Sequence, residues 1–122
     1  MQEQRYREGA IDPIRELAMQ ILGRVHEEGA YANVALMQAL RGAHLTERDR
    51  RFLTELVYGS VKAGDTLDYM IQQYLRGDMK YVQPKVREIL RLGIYQIFFM
   101  DRVPASAACN TAVELAKKYG RK

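Results

Sequence analysis

Between Asp12 and Gly29 the apolar residues Ile14, Leu17, Ala18, Ile21, Leu22 and Val25 recur at steps of three and four. That period gathers side chains onto one face of an α-helix. Asp12 is placed to cap this helix, Pro13 takes its first position and Gly29 stops it. A shorter helix is expected over about 32–40, with Val34, Leu36, Met37 and Leu40 apolar. The stretch LTERDRRFLTELVYGSVKAG then offers Thr46 as a cap, Glu47 and Asp49 in a first turn that favours negative charge, and a stripe of Phe52, Leu53, Leu56, Val57 and Val61. After Gly64, DTLDYMIQQYL predicts a helix capped by Asp65 that buries Leu67, Met70, Ile71 and Tyr74, and RGDMKYVQ links it onward.

Pro84 opens a long helix to Met100, and Pro104 opens the last one, to about Tyr119. The long helix is apolar nearly all round through Ile89, Leu90, Leu92, Ile94, Ile97, Phe98, Phe99 and Met100, which predicts a central element packed on several sides. Its polar exception is the row Arg87, Arg91 and Tyr95. In the last helix Ala105, Ala108, Ala112 and Ala116 predict a face that another backbone approaches closely, opposite Asn110, Glu114, Lys117, Lys118 and Arg121. No run alternates with the period of two that marks a strand. The expected fold class is all-α, six helices in one domain over 12–122, preceded by a loose arm at 1–11.

Composition narrows the class. A chain of 122 residues, 48% hydrophobic and 28% charged, has the makeup of an ordinary globular domain with a substantial core. One Cys gives no disulfide framework and suits a reducing cytoplasm, and Cys109 is expected as a small buried residue. The apolar run from Leu92 to Met100 is far shorter than the roughly 20 residues that cross a bilayer, so no membrane is expected. Charge is uneven: residues 1–60 carry 8 Lys and Arg against 9 Asp and Glu, whereas residues 61–122 carry 11 against 6. A positive C-terminal half points toward a polyanionic partner, although solubilising surface charge gives the same pattern.

Candidate chemistry is sparse. No glycine-rich turn follows a strand to cradle a phosphate or a cofactor. His26, His44 and Cys109 lack the spacing of metal ligands, and the acidic neighbours sit at helix ends, where capping accounts for them. Basic residues offer more. Arg87 and Arg91 could meet phosphates while Tyr95 stacks a base. The same residues equally suit a solvated stripe with Tyr95 as core. KKYGRK, with Lys117, Lys118 and Arg121, reads as an RNA-contacting tail or a charged helix end, and RYR adds Arg5 and Arg7 in the arm.

The strings GAYANVAL, LTERDRRFLTELVYGSVK, TLDYMI and VREILRLGIYQIFFMDRVPASAACNTAVELAKKYG, in this order, resemble the N-terminal NusB-like domain of bacterial ribosomal RNA (cytosine-5) methyltransferases of the Sun/Fmu family. The resemblance covers about 13–120. NusB antitermination factors share the later portion and are less similar through the first two strings. The resemblance implies two packed three-helix subdomains, a non-catalytic role in engaging ribosomal RNA, and a separate catalytic domain that binds S-adenosylmethionine. The catalytic cysteines of the family belong to that other domain, so no cofactor and no catalytic residue is expected among these residues.

Two departures shape the expectation. Antitermination factors carry an arginine-rich, RNA-contacting segment before the first helix; here EGAIDPIR matches it only at Arg15, with Arg5 and Arg7 upstream. Recognition of an antitermination RNA element is therefore not expected. The family also continues past AVELAKKYG with a further helix, whereas this sequence ends at Lys122. The expectation is an excised domain whose vacant groove is left exposed or filled by a second copy. The other expectation is a protein-interaction module that binds RNA together with a ribosomal protein, as the antitermination relatives do.

Overall fold

A computed structural model of the chain describes residues 11–120. Among them are six α-helices and no strand: α1 (Pro13–Glu28), α2 (Ala32–Arg41), α3 (Glu47–Lys62), α4 (Gly64–Gln72), α5 (Pro84–Phe99) and α6 (Ala105–Tyr119). A single 3-10 turn, Met79–Tyr81, interrupts the α4–α5 connection. The all-α expectation holds. Positions 1–10 of the arm expected at 1–11, with Arg5 and Arg7, and the tail residue Arg121 lie outside the described residues, while Ile11 packs against the core.

Local chemistry sets most helix ends. The Asp12 carboxylate accepts from the Ile14 amide at 2.9 Å, and Pro13 fills the first position, where a missing N–H costs nothing. Gly29 ends α1 at φ 76°, a left-handed conformation that a side chain would resist. Thr46 Oγ1 accepts from the Asp49 amide at 3.1 Å and starts α3. For α4 the expected Asp65 cap does not form: α3 passes into α4 through Ala63 alone, and Asp65 sits inside the first turn.

Helices α1, α2 and α3 pack on one another, α5 packs on α4 and α6, and the two groups meet where α5 lies against α1 and α3. At that seam Ala18, Leu22, Leu53, Leu56, Val57, Leu92 and Leu115 are buried in one cluster. Each fully buried leucine there contributes about 1.5–3 kcal/mol of transfer free energy. Helix α5 is central, as its composition predicts.

Burial departs from the sequence reading in four places. Tyr74 is 89% exposed, because α4 ends at Gln72 and Tyr74 lies beyond the helical face that its spacing assumed. The last turn of α5 leaves Ile97, Phe98 and Phe99 exposed, whereas Met100, which follows it, is buried in the core. On α6 the buried residues are Ala107, Ala108, Thr111 and Leu115, so the contact face is rotated from the alanine stripe and Ala105 and Ala116 are exposed. Cys109, on the far side of that face, is exposed rather than buried.

Candidate nucleic-acid interface

The row Arg87, Arg91, Tyr95 falls on α5 as its spacing requires, but each arginine faces a carboxylate. Arg91 donates through Nε and Nη2 to the two Asp68 oxygens of α4, at 2.7 and 3.0 Å, and through Nη1 to Glu88 at 2.8 Å. Its side chain is 12% exposed. Burial alone would lower the Arg91 pKa, but Asp68 and Glu88 more than compensate and hold it raised. Arg87 donates to Glu27 of α1 at 2.9 Å and to the backbone carbonyl of Met79 at 3.3 Å. His26 of α1 lies 3.0 Å from the buried Glu88. These groups clasp α5 to α1 and α4, and a phosphate reaching either guanidinium would have to displace a carboxylate.

Arg15 lies in the interior. It is 1% exposed, pairs with Asp12, donates through Nε to Gln96 Oε1 at 2.5 Å and lies 5.0 Å from the centre of the Phe52 ring. A buried guanidinium held on an apolar seam has no surface to present to RNA, so its match to the arginine-rich segment is positional only. The period of α1 hides this, because Arg15 is flanked by core residues at Ile14 and Ala18.

A cationic surface does assemble where α6 ends beside the start of α5. Lys117 and Lys118 are exposed, with side chains 69% and 52% accessible. The Tyr119 ring between the helices has the ammonium groups of Lys85 and Lys118 at 5.0 and 5.2 Å from its centre, within the range where cations are attracted to an aromatic face. Glu16 of α1 anchors the cluster, accepting from Lys118 Nζ at 2.7 Å and from the Tyr119 hydroxyl at 2.5 Å. Burial works to raise the Glu16 pKa, but those two hydrogen bonds outweigh it and hold the carboxyl below its ordinary value. Lys85 escaped the sequence reading: it follows Pro84 in an unremarkable first turn, and only the return of α6 brings it to the same ring.

Tyr95 points toward α3, where a Cβ on Gly59 would lie 1.9 Å from its hydroxyl oxygen. Its ring stacks on Phe99 at 5.6 Å and 14°. Burial, together with the Glu55 carboxylate, keeps the hydroxyl pKa above the ordinary phenol value. No helix among the described residues is long and apolar enough to cross a membrane.

Comparison with known proteins agrees with this architecture. The chain is 45% identical over 108 residues to a probable ribosomal RNA small subunit methyltransferase B of Synechocystis, and 36% identical over 109 residues to its counterpart in Bacillus subtilis. These alignments cover 88% and 89% of the chain but 24% of each relative, so it spans about a quarter of their length. A transcription antitermination protein NusB of Bacillus velezensis is 35% identical over 107 residues, 87% of the chain and 79% of that relative. The NusB family model matches residues 12–122. An all-helical bundle matched along nearly its whole length in this way belongs to the NusB family.

Proposed function

We propose that this chain is a non-catalytic RNA-binding module that helps a ribosomal RNA (cytosine-5) methyltransferase engage its substrate. The observation that carries the reading is the pair Lys85 and Lys118 on the Tyr119 ring, with the exposed Lys117 on the same last turn of α6, on a chain whose methyltransferase relatives are matched over only a quarter of their length. Two ammonium groups beside one aromatic ring, with the exposed Lys117 next to them in the chain, suit a phosphate backbone, which supplies charge without sequence information. In this reading methyl transfer and S-adenosylmethionine binding belong to a different portion of such an enzyme.

A salt series tests the proposal. Fluorescence anisotropy of a labelled small-subunit ribosomal RNA fragment should give an affinity that falls steeply with salt. Replacing Lys85, Lys117 and Lys118 by Ala should weaken binding to every sequence tried and reduce the logarithmic salt slope by about 1 per lysine. An unchanged slope in the triple variant would discard the cluster as the interface.

A second reading is an antitermination-type module that pairs with a ribosomal protein. It draws on the likeness to the Bacillus velezensis protein and on the exposed apolar turn Ile97, Phe98 and Phe99. Retrieval of a ribosomal protein by nuclease-treated chain would favour it over the first.

A further inference from the structure

A cleft of about 590 Å³ opens between α3 and α5, some distance from the lysine cluster. Arg50, Arg51, Tyr58 and Gly59 line it from α3, and Tyr95 lines it from α5. Ten residues of α5 separate Lys85 from Tyr95, or about 15 Å along the helix axis.

We propose that this cleft is a stacking pocket for one unpaired RNA base, with Tyr58 and Tyr95 as its aromatic surfaces, Phe99 backing the Tyr95 ring, and Arg50, Arg51 and Arg102 at hand for the flanking phosphates. The inference rests on the RNA-binding reading above and adds a second contact to it.

Three observations carry it. The aromatic surfaces are available: Tyr58 is exposed, Tyr95 lines the cleft, and Phe99 supports its ring by lying nearly parallel to it. Base-on-aromatic stacking tolerates any base, because every base has a π-face. The Tyr95 ring is also held in advance. Glycine in a helix interior is destabilising relative to alanine, and at Gly59 the space left by the missing side chain is where the Tyr95 ring lies. A ring fixed before binding loses little freedom when a ligand arrives.

Charge selects the class of ligand. Glu47 and Glu55 stand at the cleft, but Arg51 lies 3.4 Å from Glu47 and Arg102 donates to Glu55 at 2.9 Å, and Arg50 adds a further positive charge. The side chains of Arg51 and Arg102 are 70% and 80% exposed, so both can swing to a phosphate. Planar faces beside mobile guanidinium groups fit a base with its backbone better than they fit an acidic peptide.

The test uses a short single-stranded RNA carrying 2-aminopurine at each position in turn, titrated with the chain and with Tyr58→Ala, Tyr58→Phe and Phe99→Ala. Melting curves confirm that these surface variants fold. Stacking predicts that fluorescence at one position is quenched on binding. It also predicts that Tyr58→Ala and Phe99→Ala lose the quench and bind about tenfold more weakly at unchanged salt slope, and that Tyr58→Phe behaves as the parent. Lysine-dependent binding with no effect of Tyr58→Ala or Phe99→Ala would overturn the pocket and leave the RNA-binding reading standing. Absence of any RNA binding at low salt would overturn both.

Discussion

Arg91 holds the densest set of charged contacts among the candidate residues, and its partners decide what its removal does. Arg91→Ala would leave Glu88, 1% exposed, with only His26 beside it. Removing one member of a buried pair orphans the other, so the expected loss is about 3 kcal/mol in chemical denaturation. Glu16, also largely covered, makes a prediction about pH. Its folded-state pKa is depressed, so it adds stability above the ordinary carboxylate range, and that contribution disappears as pH falls through the depressed value. Glu16→Gln should therefore flatten the acid limb of a stability–pH profile and leave the neutral region with a smaller advantage. An acid limb of unchanged slope would show that the Lys118 and Tyr119 bonds carry little free energy. Spacing along the chain announced Arg87 and Arg91 as a surface row; it was silent on Glu27 and Asp68, because those partners arrive from other helices.

Among the elements, α3 and α5 are coupled through one glycine. Gly59→Ala raises helix propensity by about 1 kcal/mol but drives a methyl into the Tyr95 ring, an overpacking that costs about 1–3 kcal/mol. A net loss is expected, and it should vanish when Tyr95→Ala is added, so that a double-mutant cycle reads a coupling well above about 0.5 kcal/mol. The exposed end of α5 gives the contrasting case. Phe98 is 61% exposed, and Phe98→Ser should change stability by no more than about 0.5 kcal/mol, whereas Leu92→Ala on the buried face should cost about 2–5 kcal/mol. The difference between those two substitutions measures how far α5 is central and where it ceases to be. Composition gave both residues the same status, since a helix apolar all round does not say at which turn its neighbours end.

For the molecule as a whole, the positive half of the chain does not become a uniformly positive face. Arg87 and Arg91 are spent on Glu27, Asp68 and Glu88, and Lys118 is shared with Glu16. What charge remains for a polyanion lies at the α5–α6 junction and along the α3–α5 cleft. Combining the lysine substitutions with Tyr58→Ala should therefore lower RNA affinity by about the product of the separate effects, because sites this far apart add. A combined loss no larger than that of the lysines alone would mean that only one of the two surfaces touches RNA.

The periodicity of apolar residues, the prolines at helix starts and the polar caps were sufficient by themselves to establish an all-helical chain and to bound five of its six helices within a residue or two, because these are local properties of consecutive residues; α4, which ends three residues short of the expected Leu75, is the exception. The motif strings likewise carried the family. Tertiary structure alone decided which charges are available. It placed Arg15 inside, set carboxylates from α1 and α4 against the arginines of α5, returned α6 so that Lys85 and Lys118 share the Tyr119 ring, and laid Tyr95 over Gly59. Each of these is a meeting of groups many residues apart, and a one-dimensional period carries no information about which faces come together.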